Sequence, residues 1–116
     1  MKSHSQILAI IALTLIAATI VPSRHAAAAD NPTAPVTVKI DNFSFAPQTI
    51  TIPTGTEVTW TNQDDIPHTV VSDDKTTFKS RALDTDEKFS FKFENKGTYT
   101  YFCSIHPKMT AKIVVQ

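Results

Sequence analysis

Apolar and polar residues alternate along most of this chain, as expected for strands that bury one face of a sheet. The alternation is clean over residues 36–40, and Val58 and Trp60 share one face of residues 57–62. It returns at residues 50–52, 88–94, 98–102 and 112–115. After residue 35 no apolar pattern has the period of a helix. The pattern therefore predicts a fold made only of strands.

Turn residues separate the predicted strands at regular intervals. Pro47, residues 53–55 and residues 95–97 interrupt the alternation, because proline and glycine favour turns over strand interiors. Short strands at spacings of about 8–12 residues are typical of an antiparallel β-sandwich. The residues expected to fill its core are aromatic: Phe43, Phe45, Trp60, Phe89, Phe91 and Phe93. Residues 73–87 are predicted to form a long connection over the sandwich.

Residues 1–29 have a different pattern from the rest of the chain. Lys2 precedes an apolar run over residues 7–21, and small residues end the segment at Ala29. This order is typical of a secretory signal peptide. We predict cleavage before Asp30, which leaves one domain over residues 30–116, exported to the periplasm. An uncleaved membrane anchor is the alternative, but the run is shorter than the roughly 20 apolar residues that a spanning helix needs.

Charge and cysteine content narrow the functional classes. The 11 basic and 11 acidic residues of the chain include Lys2 and Arg24, so the predicted mature domain is mildly acidic. Its lysines are scattered among acidic residues, which argues against nucleic-acid binding. The single cysteine excludes an internal disulfide. In an oxidising compartment, a lone thiol is buried, paired with another molecule or bound to a metal.

Three residues with metal-binding side chains lie within seven positions near the C-terminus. Cys103, His106 and Met109 have C-x2-H-x2-M spacing, and His68, directly after Pro67, supplies a second imidazole. Each residue alone has an ordinary structural role as a buried thiol, a surface or loop histidine or a core methionine. Together they form the His2Cys set with a weak axial Met that is typical of blue copper sites.

Zinc is the main chemical rival, because it binds His and Cys tetrahedrally. A thioether favours copper(I) over zinc, however, and Met109 lies in the same loop. His4 and His25 fall within the predicted signal peptide. Only two histidines then remain for the mature domain, and a second, catalytic copper would need more. We therefore do not expect this chain alone to be an enzyme.

The segments around these candidates resemble the cupredoxins of the plastocyanin and amicyanin type. The resemblance is carried by VTWTN at residues 58–62, PHTV at 67–70, GTYTYFC at 97–103 and CSIHPKM at 103–109. It extends over nearly all of residues 36–116. The short spacing between His106 and Met109, with Pro107 directly after the histidine, is most similar to amicyanin.

This resemblance implies an all-β, antiparallel Greek-key β-sandwich that binds one type 1, or blue, copper ion. The implied ligands are three equatorial residues and one axial residue: His68, Cys103 and His106, and Met109. The carbonyl oxygen of Pro67 would lie on the opposite axial side. Thr69 stands where these proteins usually carry Asn, and its hydroxyl is the candidate for a link between the two ligand loops.

The resemblance also implies a function. Such a protein carries single electrons by cycling copper between Cu(II) and Cu(I), acts as a monomer and meets its partners transiently near His106. A dehydrogenase-type donor and a c-type cytochrome or oxidase acceptor would be those partners. A protein that binds or delivers copper without a redox partner would use the same ligands, so copper handling stays an open alternative.

Overall fold

A computed structural model describes residues 17–19 and 33–116 of this chain. The predicted cleavage site between Ala29 and Asp30 lies outside these residues, so the signal peptide and the domain boundary stay predictions. In the described ranges, no helix has the length and apolar character that crossing a bilayer requires.

The described residues form eight strands in two four-stranded sheets. The strands are β1 (Val36–Asp41), β2 (Ser44–Ala46), β3 (Thr49–Ile52), β4 (Thr56–Asn62), β5 (Val71–Ser72), β6 (Lys88–Phe93), β7 (Gly97–Phe102) and β8 (Thr110–Val115). One sheet has the order β2-β1-β4-β6, and the other has the order β3-β8-β7-β5. The chain changes sheet after β2 and again after each of β3, β4, β5 and β6. The predicted β-sandwich is confirmed.

The sequence pattern led us to expect antiparallel pairing throughout the sandwich, but two strand pairs are parallel. β1 pairs with β4 in parallel, and β3 pairs with β8 in parallel. The other four pairs are antiparallel. The sequence did not predict the two parallel pairs, because alternation reports which face of a strand is buried but not which strand lies beside it. β1 and β4 become neighbours because the chain visits the other sheet between them.

Aromatic rings fill the space between the sheets. Trp60 is fully buried, and its ring centroid lies 5.5 Å from that of Tyr101, 5.6 Å from that of Phe78 and 6.4 Å from that of Phe93. We call these four residues the aromatic core. Burial of the predicted core residues Phe45, Trp60 and Phe93 is confirmed. Two other residues predicted for the core, Phe89 and Phe91, are partly buried and pack against this cluster.

Phe43 is an exception, and its predicted place in the core is wrong. Its side chain is 53% exposed. The alternation suggested that Phe43 and Phe45 share a face, but β2 begins only at Ser44. Phe43 instead lies in the two-residue turn between β1 and β2, where the strand rule for side-chain direction does not apply.

The predicted long connection over residues 73–87 contains none of the eight strands, but it is fixed to the sandwich at two points. Phe78 and Leu83 are both buried. The N–H of Leu83 donates to the carbonyl of His68 at 2.7 Å, and the N–H of His68 donates back at 3.1 Å. This connection therefore supports the backbone of a predicted metal ligand.

Candidate metal centre

The donor atoms of His68, Cys103 and His106 meet beyond the ends of β4 and β7. Cys103 Sγ lies 3.7 Å from His68 Nδ1 and 3.9 Å from His106 Nδ1, and the two nitrogens are 3.2 Å apart. The point equidistant from these atoms is thus about 2 Å from each, close to the roughly 2.0–2.3 Å bonds that zinc forms with nitrogen and sulfur. One ion of similar size therefore fits between them.

The tautomer of His68 is suited to metal binding. Its ring is fully buried, and Nε2 lies 2.7 Å from Asp64 Oδ2. An ionised carboxylate only accepts hydrogen bonds, so Nε2 carries the proton and donates it to Asp64. Nδ1, which faces Cys103 and His106, is then left with a free lone pair. A carboxylate on the far nitrogen fixes the orientation of a metal-binding histidine and raises its basicity.

Asp64 holds more than the histidine. Its Oδ1 accepts from the backbone N–H of Asn42 at 2.7 Å, and its Oδ2 accepts from that of Phe43 at 3.0 Å. Partial burial acts to raise the pKa of Asp64. The hydrogen bonds from Phe43, Asn42 and His68 outweigh it and keep the pKa below its ordinary value. Asp64 is therefore ionised at neutral pH and joins the β1–β2 turn to His68.

Asn62 closes the loop that carries Asp64 and His68. The side chain of this last residue of β4 is fully buried. Its Nδ2 donates to the carbonyl oxygens of Ile66 and Leu83, each at 2.8 Å, and its Oδ1 accepts from the N–H of Asp64 at 3.0 Å. Because every polar atom of this side chain has a partner, Asn62 fixes the path from the strand to the first imidazole.

The second ligand loop is closed by its own backbone. Cys103 is fully buried just after β7, and its N–H donates to the carbonyl of Met109 at 3.1 Å. The N–H of Met109 donates to the carbonyl of His106 at 2.9 Å. The C-x2-H-x2-M spacing thus forms the tight loop that it predicted. Met109 is buried at the end of this loop, and its axial role stays a prediction, as does that of the Pro67 carbonyl.

Thr69 links the two ligand loops, as its position after His68 suggested. Its hydroxyl oxygen accepts from the backbone N–H of Ser104 at 2.7 Å and lies 2.7 Å from the Ser104 hydroxyl. Its backbone N–H donates to Cys103 Sγ at 3.3 Å. A hydrogen bond to this sulfur stabilises the thiolate form, which is the form that binds metals.

His106 reaches the surface in an apolar depression. The depression has a volume of about 490 Å³ and is lined by residues of the second ligand loop and by the β1–β2 turn: Ile105, His106, Pro107, Lys108, Met109 and Phe43. Phe43 and Ile105 are the exposed large hydrophobic side chains of the described residues. The ring centroid of Phe43 lies 5.6 Å from that of His68 and 5.1 Å from that of His106, edge-on to both.

Sequence reasoning thus missed Asp64, Asn62 and Phe43 as parts of this site. The turn held the only available signal, because a bulky residue at Phe43 is unusual in a two-residue hairpin loop. Asp64 gave no such signal, since its partners in the β1–β2 turn lie 21 and 22 residues away in the sequence.

Comparisons with known proteins relate this chain to the cupredoxins. A family model described as a cupredoxin-like domain matches residues 8–115. The chain is similar to amicyanin of Paracoccus versutus, with 32% identity over 104 residues that make up 84% of this chain and 77% of that protein. It is also similar to the structure of a purple cupredoxin from Nitrosopumilus maritimus, with a TM-score of 0.65 and 34% identity. That match covers 70% of this chain and 99% of the other.

A larger protein contains a similar domain. The structure of a copper-containing nitrite reductase from Thermus scotoductus SA-01 matches with a TM-score of 0.67 and 34% identity. The match covers 72% of this chain but only 22% of the reductase. Fold similarity alone therefore does not separate a small copper protein from one part of an enzyme.

Proposed function

This chain belongs to the cupredoxin-like family, and we propose that it is a blue copper protein that carries single electrons. The observation that carries this proposal is the convergence of two imidazole nitrogens and one thiol sulfur around a point that fits one metal ion. His2Cys with a weak axial thioether is the donor set of blue copper electron-transfer sites. A bound copper ion would accept and release one electron by cycling between Cu(II) and Cu(I).

We propose four residues as the metal ligands. His68, Cys103 and His106 would be equatorial, because their donor atoms already face one another. Met109 would be axial, because it is buried at the end of the same loop and its backbone contacts those of Cys103 and His106. This soft sulfur set favours copper over zinc.

The surroundings of the site suit electron transfer, because they hold the donors in place from several sides. Asp64 fixes His68, the Thr69–Ser104 contact joins the two ligand loops, and the N–H of Thr69 donates to the sulfur. Donors held in this way move little when the charge at the centre changes. Hydrogen bonds to the sulfur and the apolar surroundings adjust the reduction potential.

His106 supplies the proposed route for electrons to and from the protein. It is partly exposed within the apolar depression, where a redox partner can approach. Such contacts are small and short-lived, and Lys108 would steer the approach rather than supply affinity. We propose that the mature protein acts as a monomer in the periplasm. Its proposed partners are a dehydrogenase-type donor and a c-type cytochrome or oxidase acceptor.

We do not propose catalysis for this chain. The nitrite reductase contains a similar domain within a much longer protein. In residues 33–116, His68, Cys103 and His106 form the one group of three or more His, Cys, Asp or Glu residues that is close enough to bind a metal. Both histidines of that range belong to this group.

Electron exchange distinguishes a carrier from a protein that delivers copper. The purified protein is loaded with one equivalent of Cu(II) and titrated with ascorbate and then ferricyanide. Line broadening of its NMR signals is measured in mixtures of the two oxidation states. A carrier takes up and returns one electron per protein and shows fast self-exchange. A protein that binds only Cu(I), stays colourless and passes the ion to a chelator instead of exchanging electrons would contradict the proposal.

A further inference from the structure

We propose that Phe43 is a positioning residue that caps the metal centre, and that Asp64 holds this cap rigidly in place. The inference rests on the proposed copper site. It assigns to the β1–β2 turn a role in fixing the two imidazole rings and in keeping water away from them.

Phe43 is not a residue that the backbone conformation of this turn favours. Asp41 pairs with Ser44, so the turn consists of Asn42 and Phe43, with φ angles of +49° and +55°. Two-residue hairpin turns with positive φ at both positions prefer Asn followed by Gly. Asn42 fits this preference, whereas Phe43 occupies the glycine position. A bulky side chain is unfavourable in this left-handed region, and such outliers are found where a function requires them.

Asp64 stabilises this unfavourable turn and the first imidazole with a single carboxylate. The backbone N–H groups of Asn42 and Phe43 and Nε2 of His68 all donate to it. Hydrogen bonds to an ionised acceptor are stronger than those between neutral groups. The turn and the ligand are therefore fixed relative to each other, although they are far apart in the sequence.

The ring of Phe43 contacts both imidazoles from the solvent side. It is nearly perpendicular to each of them, with interplanar angles of 88° to His68 and 87° to His106. His68 is fully buried, while Phe43 keeps 53% of its surface exposed. A side chain placed in this way adds little to the core between the sheets. Its ring instead covers the two imidazoles and restricts their rotation.

The cap therefore has consequences that a purely structural residue would not have. Removing the ring should relieve backbone strain and leave the fold intact. It should also let water and chelators reach the centre, since the apolar shell of a metal site controls solvent access. Stability and metal protection are expected to change independently.

Variants of the turn test this inference. Phe43→Gly removes the ring and supplies the residue that the turn prefers, and Phe43→Leu keeps an apolar side chain without a ring. Asn42→Gly is the matched control, because it changes the same turn but retains Phe43. Three quantities are measured for each variant: the Tm of the metal-free protein, the rate at which bathocuproine disulfonate removes copper from the reduced protein, and water-proton relaxation by the Cu(II) protein.

For Phe43→Gly we expect a Tm equal to or above that of the wild type, copper removal at least tenfold faster and stronger water-proton relaxation. The copper-removal rate of Phe43→Leu should lie between those of the wild type and Phe43→Gly. The rate of Asn42→Gly should remain within twofold of that of the wild type. A copper-removal rate of Phe43→Gly within twofold of that of the wild type, or a clearly lower Tm, would overturn the proposed role of Phe43. A wild-type protein that binds no copper would instead overturn the proposed function.

Discussion

The aromatic core and the metal centre are neighbours in this molecule, but they are held together by different forces. Trp60 and Tyr101 lie on strands and are surrounded by rings, and Trp60 Nε1 has no hydrogen-bond partner among the described residues. Two residues further along the chain in each case, Asn62 ends β4 and Cys103 directly follows β7, and both belong to the metal centre. There, hydrogen bonds hold the side chains of Asn62 and His68 and the sulfur of Cys103.

The difference shows how one sequence pattern serves two purposes. A period of two places Asn62 on the same face as Trp60, and Cys103 on the same face as Tyr101. The strands then end, and the loops that follow supply the other groups of the centre. Hydrophobic burial should therefore determine the stability of the fold, whereas loop hydrogen bonds should determine the properties of the metal site.

The largest expected effect is on the core. Trp60→Ala removes a fully buried ring and should lower the free energy of unfolding by about 3–5 kcal/mol. Phe43→Ala removes an exposed aromatic ring and should cost about 1 kcal/mol or less. Urea unfolding of the metal-free proteins measures both. Equal losses in the two variants would show that the core and the site are not separate in energy.

A second test of the core uses alkaline pH. Burial raises the pKa of Tyr101 to about 12, although a contact with Trp60 opposes this shift. The buried side chain is neutral, so its stabilising contribution is complete below pH 10 and is lost as the pH rises from 10 through 12. The loss should reach about 3 kcal/mol. Tyr101→Phe should remove this drop in urea-unfolding experiments, whereas Tyr99→Phe should retain it. An unchanged drop in Tyr101→Phe would contradict the assignment.

Loss of the shared carboxylate should weaken the centre more than the fold. Asp64→Ala deprives His68 of its partner and the β1–β2 turn of its acceptor. Copper affinity should fall by about 10–100-fold, as is typical when a partner of a metal-binding histidine is removed. Competition with a chelator measures the affinity. The neighbouring exposed acid provides the control, and Asp65→Ala should leave the affinity unchanged. A copper affinity of Asp64→Ala equal to that of the control would contradict this role of Asp64.

The smallest expected effect concerns the link between the ligand loops. Thr69→Val removes the hydroxyl, which contacts Ser104 and also donates to Cys103 Sγ at 3.8 Å, but keeps the backbone N–H that donates to the same sulfur. Loss of one such hydrogen bond should lower the reduction potential by about 20–60 mV, because the thiolate is then less well stabilised in the more negative, reduced state. Voltammetry of the copper protein measures the shift. Thr69→Ser, which keeps the hydroxyl, should stay close to the wild type, and a full shift in that variant would contradict the role of the link.

The parts of this molecule that sequence could predict are those encoded within one segment. Alternation predicted the sandwich and the burial of Trp60, and spacing predicted the loop from Cys103 to Met109. The parallel pairing of β1 with β4 could not be read in this way, because no local pattern encodes which strand becomes a neighbour. Asp64 and Phe43 were missed for the same reason, since their roles depend on a contact between segments about 20 residues apart.

The visible absorption spectrum of the copper-loaded protein tests the central claim most directly, namely that Cys103 and two histidines bind one copper ion. The wild type with one equivalent of Cu(II) should show an intense thiolate-to-copper band. Cys103→Ser should lack this band and still unfold cooperatively, because the aromatic core is unchanged. A wild-type protein with only the weak colour of copper bound to nitrogen and oxygen, or an intense band that persists in Cys103→Ser, would contradict the account.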